Sequence, residues 1–149
     1  MTDREKMATE FFEQGFNCAQ GVLLTHAQAL GLDKEIAARM AAAFGGGICL
    51  TGNTCGAVTG ALMALGVKYG NKAPDEKAAK EKTVLKSVLF MHHFTQACGS
   101  VLCRDLLGVD LSQPGVLEHA REMHLFEKTC PRYVGTAADI LDAMFNGEK

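Results

Sequence analysis

Apolar residues in this sequence recur at three- and four-residue intervals, and strict apolar–polar alternation is almost absent. That spacing lines up side chains along one face of an α-helix, whereas a half-buried strand needs a period of two. The chain therefore reads as all-α, a single compact domain over residues 1–149 with about six to eight helices. Start and stop signals divide it. Thr2 and Glu5 have capping-box spacing and open a helix that stops at Gly15. Asn17 caps a second helix from Cys18 to Leu30, ahead of Gly31. Asp33 caps a third, which runs through Phe44 and is halted by Gly45-Gly46-Gly47. Asn53 or Thr54 caps a helix from Cys55 to Tyr69, closed by Gly70. Pro74 and Asp75 start a long helix to Cys98, and Ser100 caps a short one that holds Cys103 and ends by Gly108. Ser112 and Pro114 begin another, through Lys128, and Cys130-Pro131 opens the last, to Phe145.

A chain of 149 residues buries about 68–70% of the surface its unfolded form exposes, so it folds without disulfides. Its 15 basic and 17 acidic side chains give a formal charge of −2. No run of Lys or Arg marks a surface that follows phosphates, so nucleic acid is not an expected partner. Met1–Lys6 lacks the apolar stretch of a secretory signal. Ala57 to Val67 falls short of the roughly 20 apolar residues that span a bilayer. The expected setting is the cytoplasm, where thiols stay reduced. A helical chain of this size also has the means to bury a spare apolar face in a homodimer.

Six cysteines stand at Cys18, Cys49, Cys55, Cys98, Cys103 and Cys130, none in CxxC spacing. That excludes a zinc ribbon, a thioredoxin-type dithiol and covalent haem attachment. A shared site must come from distant helices. On the helix map, Cys18, Cys55, Cys103 and Cys130 each fall at or within the first turn of a helix, where unpaired N–H groups and the macrodipole favour an anion. Thiol pKa values fall in such places. This position predicts that Cys18 or Cys55 titrates below an ordinary thiol, with Arg104 or Arg132 as a neighbouring cation, and that Cys98, at a helix C-terminus, does not. Cys49 lies in the glycine loop.

Those residues carry a resemblance. Gly15-Phe16-Asn17-Cys18-Ala19-Gln20, then Cys55-Gly56-Ala57-Val58-Thr59-Gly60 after a glycine-rich loop, then Gly99 to Gly108 around Cys103, then Cys130, resemble the C-GCAxxG-C-C family over nearly the whole chain. The resemblance implies Cys18, Cys55, Cys103 and Cys130 as the four signature cysteines, with Cys49 and Cys98 outside the set. It also implies redox or metal chemistry at the four and an association with transport genes, and it names no substrate.

The remaining motifs are mostly negative. The loop from Gly45 to Thr54 has no Gly-Lys-Ser/Thr and follows no strand, so it is neither a P-loop nor a dinucleotide fingerprint. Its expected role is to present Cys55. Gly56, Gly60 and Ala64 share a helix face and predict a close helix–helix approach. His92-His93 and the pair His119 and His124 lack the spacing of a metal site, and no Glu-x-x-His is present. The methionines are scattered as core fillers are. The leading reading is a thiol redox protein acting on a disulfide, persulfide or other oxidised sulfur compound. In it Cys18 and Cys55 are the preferred nucleophiles, with Cys103 and Cys130 as their partners. The alternative reading uses the same four cysteines to hold zinc, iron or an iron–sulfur cluster. A third class is an accessory protein beside a membrane transporter.

Overall fold

A computed structural model describes residues 1–148. Eight helices account for 66% of the chain, and no strand forms among the described residues. In chain order they are α1 (Asp3–Glu13), α2 (Cys18–Ala27), α3 (Lys34–Met40), α4 (Gly56–Tyr69), α5 (Lys77–Cys98), α6 (Cys103–Leu107), α7 (Val116–Glu122) and α8 (Leu125–Asn146). No described helix is long and apolar enough to cross a membrane.

Local chemistry sets the first three starts. At α1 the Glu5 N–H donates to Thr2 Oγ1 at 3.1 Å, and the Thr2 N–H donates to Glu5 Oε2 at 2.7 Å. Asn17 and Gln20 exchange the same reciprocal pair at α2, both at 2.9 Å. Asp33 Oδ1 accepts from the Ile36 N–H at α3. Each cap satisfies donors that the helix itself leaves unpaired.

α2 is the hub. Apart from Gln20, Thr25 and His26 its residues are apolar, and all but Gln20 are buried, as befits a helix enclosed by others. It packs against α1, α3, α4 and α8. Two glycine contacts bring it close to its neighbours. A Cβ on Gly21 would stand 3.2 Å from the Ala8 carbonyl oxygen of α1 and from Val134 Cγ1 of α8. A Cβ on Gly60 of α4 would stand 2.5 Å from the Ala19 carbonyl oxygen. The small-residue face on α4 thus makes the close approach that its spacing predicts.

Boundaries differ from expectation where tertiary packing competes with local signals. α2 stops at Ala27 and α3 at Met40, each followed by turns. Cys55 itself, rather than Asn53 or Thr54, is the N-cap residue of α4, and Leu102 is that of α6. The largest departure is at the C-terminus. The helix read from Ser112 through Lys128 breaks at His124, which takes a left-handed conformation. The last helix therefore begins at Leu125 and passes through Pro131 without stopping. A mid-helix proline costs about 3 kcal/mol by removing a hydrogen bond and crowding the preceding turn. Here Cys130, Val134, Ala137, Ala138 and Leu141 form one buried stripe, and its packing offsets that cost.

Candidate functional site

The segment between α3 and α4 builds the site. Gly46, Gly47, Ile48, Cys49 and Leu50 all have φ between +51° and +70°, a run of five residues in the left-handed region. For the three residues with side chains this costs roughly 1–2 kcal/mol each. Backbone bonds hold the turn. The Cys49 N–H donates to the Ala43 carbonyl at 2.8 Å, the Leu50 N–H to Gly45 at 3.1 Å, and the Asn53 N–H to Gly47 at 2.9 Å. The segment then caps α6, since the Asn53 and Gly52 carbonyls accept the Cys103 and Arg104 N–H groups at 2.7 and 3.1 Å. The Cys55 N–H donates to Val101 at 2.8 Å in the same seam. Gly47 faces Cys103 so closely that a Cβ there would stand 2.5 Å from Cys103 Cβ. Gly56, next to Cys55, faces Cys18 in the same way, at 2.9 Å.

These approaches gather four thiols. Cys18 of α2, Cys55 at the start of α4, Cys103 of α6 and Cys130 of α8 line one small cavity with Gly46, Phe126 and Tyr133. All four are buried and all carry free thiols. The cavity leaves about 10 Å³, near the lower limit for one water molecule. Cys130 is the neighbour that acts most strongly on the Cys18 thiol. Cys49 is exposed, and Cys98 is half-buried beside Arg132 and Thr136. Neither belongs to the cavity.

The expected low thiol pKa values are overturned. The adjoining Cys130 thiol, then burial, then the Cys130 charge push Cys18 well above an ordinary thiol, against its own N–H and that of Gly46. Burial, then the charge of Cys18, pushes Cys55 up to about 12, against the Ala57 and Val58 N–H groups. Burial followed by Cys55 and Cys18 raises Cys103 to about 12. Burial also raises Cys98. Helix starts help less than position alone suggests. At α6 the first two N–H groups are taken by loop carbonyls, and Cys130 lies inside α8 rather than at a cap. The two proposed cations also face elsewhere. Arg104 reaches Asn53 Oδ1 at 3.5 Å, and Arg132 acts on Cys98. Desolvation and like charge therefore outweigh the dipole, which is worth about 0.3–1 kcal/mol at exposed ends.

An open groove of about 740 Å³ adjoins the cavity. Phe12, Phe16, Leu50 and Phe126 give it an apolar lining, and Glu13, Arg121 and Glu127 supply its charges. Cys18, Gly46 and Phe126 wall both spaces, so Cys18 is the cluster's point of contact with the groove. Cys49 lines the groove as well. Sequence reasoning missed the groove and the handedness of the 46–50 turn; the run Gly45-Gly46-Gly47 was the only signal of either.

The donor set of the cavity, four sulfurs, suits zinc or iron. As the side chains stand, no group of three or more His, Cys, Asp or Glu among the described residues is placed to hold a metal ion. His92 and His93 sit exposed on α5, away from the cavity lining.

Comparison with known protein families matches residues 16–144 to the family described as "Putative redox-active protein (C_GCAxxG_C_C)". Comparison with curated proteins and with solved structures gave no match.

Proposed function

Because the chain belongs to the C_GCAxxG_C_C family of redox-active proteins, we propose that it works by two-electron thiol–disulfide exchange at the four-cysteine cavity, on an oxidised sulfur compound that enters by the groove. The observation that carries this reading is the position of Cys18, which walls both groove and cavity and lines that cavity together with Cys130. For a disulfide R–S–S–R′, Cys18 Sγ loses its proton and attacks one sulfur. The S–S bond breaks, and R′–S⁻ leaves and takes up the proton. Cys130 then attacks Cys18 Sγ, forming a Cys18–Cys130 disulfide and releasing R–SH with the proton that Cys130 gives up. The substrate gains two electrons and the protein loses two. A thiol reductant resets the pair. A persulfide R–S–SH is met by the same attack on its outer sulfur.

The raised thiol pKa values bear on direction. A dithiol whose thiolate is stabilised is a strong oxidant, because its reduced form is favoured. Here burial and neighbouring thiols oppose the thiolate, so this cluster suits a donor of electrons. Cys55 and Cys103 are a second pair able to take over the oxidation, as both line the cavity and Cys55 raises the Cys103 thiol.

A second reading rests on four sulfurs around room for a single atom. In it the same four cysteines hold zinc or iron, and the thiols shed their protons on binding. One measurement separates the two, namely metal analysis with thiol counting on anaerobically purified protein. Free thiols that oxidise reversibly in pairs, with Cys18 linked to Cys130 by peptide mass spectrometry, support exchange. Four protected thiols with bound metal overturn it. Cys18→Ser should abolish disulfide reduction, and Cys98→Ser should not.

A further inference from the structure

α5 carries an apolar face that the fold does not use. One side packs inward through Phe90 and Phe94, which are fully buried. The other leaves Val84, Leu85, Val88 and Leu89 exposed at 63%, 66%, 60% and 39%. These four are adjacent on the helix surface, since residues three and four apart are neighbours there. Glu81 and His92 continue the row on either side, and both are exposed. Contiguous apolar surface on a soluble chain marks an interaction site more often than scattered exposed residues do. No residue of α5 lines the cysteine cavity or the groove, so this surface is separate from the candidate site.

We propose that this face joins two copies of the chain through an antiparallel α5–α5 pair. The row is self-complementary, as a two-fold interface requires. An axis at the level between Lys86 and Ser87 sets Val84 against Leu89 of the second copy and Leu85 against its Val88. The same axis sets Glu81 against His92 of the second copy, twice by symmetry. A parallel pair would instead oppose like residues, Glu81 to Glu81 and His92 to His92. Helix ends favour the same direction. α5 has no acidic residue in its first turn and starts with Lys77, with Lys80 one turn on, placing cations where its own dipole is positive. In the antiparallel pair those lysines approach the last turn of the second copy's helix, where carbonyls lack partners. The row is about as long as two turns, so association is reversible and depends on concentration.

Sedimentation of the full chain over about 1–100 µM tests this. The wild type should pass from monomer to dimer in that range, and Leu85→Lys with Val88→Glu should stay monomeric with unchanged circular dichroism. Orientation is read from charge. Glu81→Lys should weaken the dimer several-fold, as expected when two partly exposed polar contacts are lost. Adding His92→Glu should restore it, because each new Lys then meets a new Glu. A wild type that stays monomeric at 100 µM overturns the proposal, including when the face binds lipid vesicles instead. A dimer that survives the Leu85 and Val88 changes, or a second charge change that does not rescue the first, overturns it too.

Discussion

Gly60 and Ala19 meet backbone to backbone where α4 crosses α2, so closely that a Cβ on Gly60 would fall 2.5 Å from the Ala19 carbonyl oxygen and 2.9 Å from its Cα. Cys18 precedes Ala19 and Cys55 lies one helical turn and a residue before Gly60, so the crossing fixes the distance between two of the clustered thiols. Gly60→Ala should gain about 1 kcal/mol in helix propensity and lose more to overpacking, which costs typically 1–3 kcal/mol. The contact is with backbone, which cannot swing aside, so the upper part of that range applies. Urea denaturation should show a net loss of about 1–2 kcal/mol.

The turn at residues 46–50 gives a contrast between neighbours. Gly47→Ala sets a Cβ 2.5 Å from Cys103 Cβ and 2.6 Å from the Asn53 nitrogen, at a φ of +70°. It should destabilise the protein by at least about 2 kcal/mol. Ile48→Gly removes a β-branched residue from a φ of +67°. That relief of roughly 1–2 kcal/mol exceeds the chain entropy that glycine adds, about 0.5–1 kcal/mol. Ile48→Gly should therefore be neutral or slightly stabilising by the same denaturation assay.

Alkylation of the reduced, metal-free protein should follow exposure and pKa together. At pH 7.5 Cys49, the exposed thiol, should be labelled first. Cys18, Cys55 and Cys103 are buried and titrate high, so their labelling should rise about tenfold per pH unit through the alkaline range. Mass spectrometry of the separate peptides reads the order. Labelling of Cys18 ahead of Cys49 at neutral pH would show that the cluster opens far more readily than its packing indicates.

His26 sets an acid limit on stability. Burial first, then the Arg4 charge, holds its pKa at about 4, below the 6.5 of an unfolded histidine. The unfolded chain therefore binds the proton first, and stability present above about pH 6.5 is lost as pH falls toward 4. The shift corresponds to about 3 kcal/mol in all. Urea midpoints measured from pH 7 to pH 4 should fall accordingly, and His26→Asn should flatten that slope even if it lowers the plateau.

What the sequence made legible is what local chemistry decides. Thr2 with Glu5, and Asn17, cap their helices as read because each works within one turn of chain. Gly56 and Gly60 announced a close approach because only a residue without a Cβ permits it. The order and grouping of Cys18, Cys55, Cys103 and Cys130 followed from the resemblance, and helix starts pointed to the first three, whereas Cys130, read as a cap, lies inside α8. The rest depends on contacts between distant segments. Pro131 signals a helix start, yet the stripe from Cys130 to Leu141 carries the helix through it. Ile48, Cys49 and Leu50 give no sign of a left-handed turn, which arises from bonds to Ala43 and Gly45 and from the cap on α6. The direction of the thiol pKa shifts also lay outside sequence, because burial and neighbouring sulfur decide it.

The four clustered cysteines come from four segments spread along the chain from Cys18 to Cys130, and nothing short of the finished fold brings them together. During synthesis Cys18 emerges long before Cys130. A chain that meets an oxidant before folding has three ways to pair these four cysteines, and fifteen ways to pair all six. Pairings that draw in Cys49 or Cys98 tie the cluster to thiols that the native fold leaves outside the cavity. Maturation must therefore run in one order, with folding under reducing conditions first and sulfur chemistry second. Refolding yields should fall sharply when that order is reversed.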